Sequence, residues 1–116
     1  MFKFEKLAVW QKSIDFADLA YTETNIFPPD ERFGLTNQIR RAATSISSNI
    51  AEGCARSDPD YARFVGYATG SLYEVITQAV IARRRRFLIE PAFAKIYNDA
   101  EEIGRMLSGL RASLEK

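Results

Sequence analysis

Apolar positions recur at steps of three and four along most of the chain. Leu7, Trp10, Ile14, Ala17 and Tyr21 are spaced 3, 4, 3, 4. Leu35, Ile39, Ala42, Ile46 and Ile50 follow at 4, 3, 4, 4. Phe64, Ala68, Leu72, Val75, Ala79 and Ala82 keep the same rhythm. Phe93, Ile96, Ala100, Ile103, Leu107, Leu110 and Leu114 alternate 3 and 4 throughout, which is the seam of a bundle helix. No stretch alternates with period two, and no Asn-Gly or Asp-Gly turn occurs, so no hairpin is predicted.

Three breaks separate these runs: Pro28-Pro29-Asp30, Gly53 to Pro59, and Glu90-Pro91. The spacing predicts helices over about 5–26, 31–53, 59–88 and 91–115. Asp30 is placed to cap the second helix, and Ser57 or Asp58 the third. Gly53 falls where a left-handed residue ends a helix, and Pro59 and Pro91 suit a first turn. Short connections make neighbouring helices antiparallel. The expected fold is all-α: one domain over 1–116, an up-down-up-down four-helix bundle.

The second helix carries a further stripe. Gln38, Arg41, Ser45, Ser48 and Glu52 are spaced 3, 4, 3, 4 and lie about 120° from the apolar stripe, with Asn49 beside them. A second ordered stripe implies a second packing surface. Small side chains here allow a close helix–helix or subunit seam, and a ligand or nucleic-acid contact is the other reading. Gly66 and Gly70, four residues apart, suggest close approach of a neighbouring helix.

Charge sharpens this picture. Residues 1–31 hold three Lys and six acids, whereas residues 32–86 hold nine Arg and four acids. The basic middle is therefore entirely arginine, whose planar fork suits phosphate and carboxylate. Arg83-Arg84-Arg85-Arg86 is its densest part. As helix, four consecutive residues sweep about 300° and form no flat patch. Arg86 would extend the Ala79–Ala82 core row and lie at the bundle rim. The run either ends a helix favourably or binds phosphate together with Arg40, Arg41, Arg56 and Arg63. Tyr61, Phe64, Tyr67 and Tyr73 could stack on bases, or serve as core and interface.

Catalytic chemistry has little to work with. The chain has no histidine, the commonest general base and metal ligand. Cys54 is its one cysteine, so no disulfide forms within the chain, no thiolate zinc site can be built, and a reducing compartment is implied. Glu52, Glu74, Glu101 and Glu102 lack the histidines of a di-metal bundle site. No enzyme activity, metal or cofactor is expected. The N-terminal residues lack a signal-peptide core and no window reaches the length of a membrane span, so a cytoplasmic location is expected.

Several ordered segments carry a resemblance. They are Leu7-Ala8-Val9-Trp10-Gln11-Lys12, Phe27-Pro28 with Glu31-Arg32-Phe33-Gly34-Leu35, Gln38-Ile39-Arg40-Arg41-Ala42, Ser45-Ile46 with Asn49-Ile50-Ala51-Glu52-Gly53, and Gly70-Ser71-Leu72-Tyr73-Glu74. Together they resemble the four-helix-bundle 23S rRNA-intervening sequence proteins, a family similar to the accessory protein of diversity-generating retroelements. The resemblance implies a bacterial, non-catalytic bundle assembled as a homopentamer with a basic surface. It also implies nucleic acid, or a reverse-transcriptase-like protein, as partner. Two positions depart from the family pattern: Cys54 replaces an aromatic residue, and Arg83 to Arg86 replace an apolar segment with a Gly-aromatic pair.

The expectation is thus a non-enzymatic oligomer that binds RNA or DNA, largely without sequence readout. Arg83 to Arg86, Arg40, Arg41, Arg56 and Arg63 would contact nucleic acid. Gln38, Arg41, Ser45, Ser48, Asn49 and Glu52 would form the subunit interface. The alternative is a protein-interaction scaffold or accessory subunit with no nucleic-acid contact of its own.

Overall fold

The apolar seams do close into a four-helix bundle. The computed structural model describes residues 1–116 and contains α1 (Ala8–Thr24), α2 (Leu35–Cys54), α3 (Asp58–Arg84) and α4 (Glu90–Leu114), with no strand. Each helix packs on its two neighbours in the order α1, α2, α3, α4 and back to α1, which leaves α1 diagonal to α3 and α2 to α4. The bundle measures 44 × 22 × 22 Å. No helix is long and apolar enough to cross a membrane.

The core is the meeting line of the expected stripes on α2, α3 and α4. Ile46, Ile50, Val65, Val75, Ile103 and Leu107 are fully buried. Removing each such side chain from water contributes about 1.5–3 kcal/mol. Alanines at 42, 43, 68, 79 and 82 are buried as well and let α2 and α3 lie close. On α1 the buried stripe differs from the expected one. Val9, Ser13, Phe16, Ala20 and Thr24 face the core beside the expected Ala17. Leu7 and Trp10 pack against it half-buried, and Ile14 and Tyr21 are exposed. Two hydroxyls explain the change. Ser13 donates to the Val9 carbonyl at 2.7 Å and Thr24 to the Ala20 carbonyl at 2.7 Å, so both polar residues can be buried without loss.

Helix ends also depart from the sequence expectation. Lys3–Lys6 form a 3-10 turn, and Leu7 is extended, so α1 starts at Ala8. Pro29–Glu31 form another 3-10 turn, which delays α2 to Leu35. Glu31 rather than Asp30 serves the helix start, its Oε1 accepting the Leu35 N–H at 3.0 Å. Gly53 lies inside the last turn of α2, and no glycine has positive φ. Its role is space: a Cβ there would sit 2.7 Å from Phe64 Cβ and 2.9 Å from Tyr61 Cδ1. The expected close approach at the paired glycines holds on one side only. A Cβ at Gly66 would meet the Arg111 guanidinium at 2.9 Å, but nothing lies within 4 Å of one at Gly70.

α3 ends at Arg84, four residues early, and the stop is made by Arg86. Its φ is 65°, the left-handed conformation usually left to glycine. Phe87 N–H bonds back to the Ala82 carbonyl at 2.8 Å and Arg86 N–H to the Arg83 carbonyl at 2.9 Å. These are the two bonds of a Schellman stop. Arg86 therefore leaves the Ala79–Ala82 row instead of extending it. Leu88 is buried in its place, and Phe87 packs against Phe27 with ring centroids 5.7 Å apart. Arg86→Gly is expected to stabilise the fold by about 1 kcal/mol, seen as a midpoint a few degrees higher in thermal unfolding. An unchanged or lower midpoint would contradict this reading of the stop.

Candidate nucleic-acid interface

The eight candidate arginines fall into two groups at opposite ends. Arg63 and Arg83 are twenty residues apart on α3, or about 30 Å at 1.5 Å per residue. Arg56 and Arg63 lie at the turn between α2 and α3. Arg56 pairs with Glu52 at 3.4 Å and Arg63 with Asp60 at 3.0 Å. Both guanidinium groups also sit over Phe64, 4.6 and 5.8 Å from the ring centroid. Their charge is offset within the chain. Tyr61 is buried beside Cys54, and burial pushes its hydroxyl pKa up to about 12.

The other end joins the start of α2 to the stop of α3. Here two arginines are tied into the fold. Arg40 donates from Nε to Thr24 Oγ1 at 2.8 Å and from Nη2 to Asn25 Oδ1 at 3.1 Å, and stacks over Tyr21 at 4.7 Å. It clasps the end of α1 against α2. Arg83 reaches Glu90 at 3.7 Å and lies 4.0 Å above the Phe93 ring, which fastens the end of α3 to the start of α4. Arg84, Arg85 and Arg86 remain exposed and form no ion pair. Arg32, in the turn just before α2, is likewise exposed and unpaired at this end. Sequence reasoning missed Arg32 as a candidate. The antiparallel topology carried the signal, since a residue preceding α2 must lie near the end of α3. Glu23, Asp30, Glu31 and Glu90 temper the charge of this end, and Glu31 and Glu90 are engaged as described.

The polar stripe of α2 divides in the same way. Ser45 and Ser71 share a hydrogen bond of 2.9 Å, and Asn49 donates to the Ser45 carbonyl at 2.8 Å. The Gln78 amide reaches the Gln38 carbonyl oxygen at 3.4 Å. Gln38 and Ser45, expected at a subunit interface, thus line the seam with α3 of the same chain, while Asn49 bonds back to its own helix. Arg41, Ser48 and Glu52 point outward and are exposed. Of the candidate stacking rings, Tyr61 is buried, Phe64 is covered by arginines, and Tyr67 and Tyr73 are 50% and 66% exposed. No three acidic or sulfur side chains converge as a metal site.

Among solved structures, a protein of unknown function from the S23 ribosomal protein family of Bacteroides thetaiotaomicron has the same fold. The match has a TM-score of 0.81 at 24% identity and covers 90% of this chain and 98% of that one. No curated protein is significantly similar to the chain. The family model of the 23S rRNA-intervening sequence proteins matches residues 5–109, nearly the whole bundle. The chain belongs to the 23S rRNA-intervening sequence protein family.

Proposed function

We propose that this protein is a non-enzymatic, cytoplasmic, oligomeric bundle of bacterial origin. It binds RNA or DNA by phosphate contacts from one end. The supporting observation is the cluster of unpaired arginines, Arg84, Arg85, Arg86 and Arg32, at the stop of α3 and the entry to α2. Free guanidinium forks bind phosphate oxygens bidentately, and these contacts read no sequence. Repetition around an oligomer would turn four charges into a continuous basic field. Arg41 extends the patch along α2, whereas Arg56 and Arg63 contribute less because Glu52 and Asp60 hold them. A reverse-transcriptase-like protein, the partner that the sequence resemblance implies, would act at the same nucleic acid. Binding of labelled single-stranded RNA, duplex RNA and duplex DNA at low salt tests the proposal. Failure of all three to bind would leave the scaffold reading, in which the arginines meet an acidic protein surface.

Self-association, as a pentamer in the form the resemblance implies, has its own support. Tyr67, Tyr73, Ile81 and Tyr97 are large, apolar and exposed on α3 and α4. Gly70 lies open among them, although glycine inside an exposed helix costs about 1 kcal/mol against alanine. The register that sets Ser45 against Ser71 puts Ser48 about level with Tyr67 and Glu52 about level with Phe64. These residues form the proposed subunit face. Light scattering at micromolar concentration is expected to give an oligomer, and Ser48→Glu a smaller particle. A monomeric wild type would refute the assembly.

A further inference from the structure

The turn that leads into α2 presents a bare aromatic ring. Phe33 is 87% exposed and stacks on no other ring of the chain. The turn that carries it is firmly held. Glu31 N–H bonds to the Pro28 carbonyl at 2.9 Å, Arg32 N–H to the Pro29 carbonyl at 3.1 Å and Gly34 N–H to the Glu31 carbonyl at 3.0 Å. The Glu31 carboxylate reaches on to the Leu35 N–H. Gly34 leaves it room, since a Cβ there would lie 2.9 Å from Oε1. Prolines at 28 and 29 restrict the backbone further. A ring fixed on such a turn loses little freedom when a ligand covers it.

The surroundings of the ring are basic. Arg32 precedes it in the chain. Phe27 packs on Phe87, ring centroids 5.7 Å apart, and so holds this turn against the α3 stop with Arg84, Arg85 and Arg86. All four arginines are exposed and unpaired. Other exposed rings are placed differently. Tyr67, Tyr73 and Tyr97 lie on the face proposed between subunits, and Tyr21 lies under Arg40. Phe33 is thus the bare ring of the arginine end.

A phenyl ring among guanidinium groups suits a ligand that carries both flat π-faces and phosphates. A single strand does, because its bases can splay out and stack on an aromatic side chain. In a duplex the faces of internal bases are already covered by their neighbours. Every base has a π-face, so such stacking selects unpaired strands without reading sequence. An anionic bilayer also joins phosphate to apolar matter, and Ile26 and Ile89 add exposed apolar side chains at this end. Yet Asp30 and Glu90 stand exposed among them. A flat anionic surface would press on those carboxylates, whereas a strand can meet the ring and the arginines and pass the acids by.

We infer that Phe33 is a base-stacking platform for single-stranded nucleic acid, beside the arginines that hold the strand's phosphates. The inference rests on the phosphate-binding reading above and adds to it a preference for unpaired bases.

The test compares two strands of equal charge on the intact protein. One is oligothymidylate, and the other has the same length and backbone with abasic sugars at its central positions. The wild type is expected to bind the first about tenfold tighter, the scale of one base stacked on an aromatic side chain. Phe33→Ala should lose that gain, yet bind the abasic strand as the wild type does and with the same salt slope, because the four arginines remain. Phe33→Trp should keep the gain. The ring is exposed, so Phe33→Ala should fold and keep the wild-type particle size. Equal binding of the two strands by the wild type, or full discrimination by Phe33→Ala, overturns the platform and leaves the phosphate reading standing. Discrimination that needs Phe33 but ignores salt keeps the platform and overturns the phosphate reading. Binding of neither strand overturns both. A smaller Phe33→Ala particle assigns the ring to a subunit contact, and Phe33-dependent binding to phosphatidylglycerol vesicles without strand binding assigns it to a membrane surface; either result overturns the platform.

Discussion

Replacing Arg84, Arg85 and Arg86 together with alanine is expected to weaken binding of single-stranded RNA by roughly tenfold to a hundredfold near physiological salt. The size follows from counterion release. Each lost phosphate contact removes about 0.7 from the slope of log affinity against log salt for a single strand, so three contacts remove about 2. The three side chains are exposed and unpaired, so the variant should fold. Retained helical circular dichroism would confirm that. The informative control is the pair Arg56→Ala with Arg63→Ala. Those arginines lie at the other end of the 44 Å bundle, and Glu52 and Asp60 already hold them. Their loss should change affinity by less than about threefold, because paired surface charges add little to a distant site. Equal losses in the two variants would mean that charge acts diffusely and the arginine end has no special part.

Gly53→Ala is expected to destabilise the bundle by about 1–3 kcal/mol, despite the ~1 kcal/mol by which alanine is the better helix former. The new methyl would sit 2.7 Å from Phe64 Cβ, an atom fixed to the backbone of α3 rather than a mobile side-chain tip. Relief requires α2 and α3 to part at their turn. That disturbs Tyr61, which is buried, and the arginine pair over Phe64. Gly70→Ala is the matched opposite. Its methyl enters open space, so the helix should gain about 0.5–1 kcal/mol. Urea unfolding at one fixed protein concentration compares the two, since assembly also contributes to apparent stability. A Gly53→Ala protein as stable as wild type would show that the turn is looser than its geometry.

The elements differ in how far the sequence revealed them. The α4 seam from Phe93 to Leu107 was readable in full, because a heptad repeat with no polar interruption has one solution. α1 was readable as a helix but only partly in its orientation: Leu7, Trp10 and Ala17 do meet the core. Ser13 and Thr24 look like surface residues until their hydroxyls are seen bonded to the preceding turn, so the apolar pattern pointed to Ile14 and Tyr21 instead. The stop at Arg86 carried no glycine to announce it. The stop lets Leu88 enter the core and Phe87 pack against Phe27. At the candidate site, composition located the charge but not its availability. Arg40 is committed to Thr24 and Asn25, fifteen or more residues earlier in the chain, and no local pattern could show that. Arg83 is committed to Glu90 and Phe93 across a turn. The polar stripe was expected at a subunit interface, but Ser45 and Gln38 of it meet Ser71 and Gln78 of α3 within the same chain.

The central claim is that Arg84 to Arg86 and Arg32 hold phosphates through charge. Its most direct test is the affinity of the wild-type protein for single-stranded RNA measured across salt concentrations. Log affinity should fall linearly with log salt, with a slope of about −3 for the four arginines of one subunit and steeper when a strand spans several subunits. Affinity that does not change with salt, or no binding at the lowest salt, would contradict it.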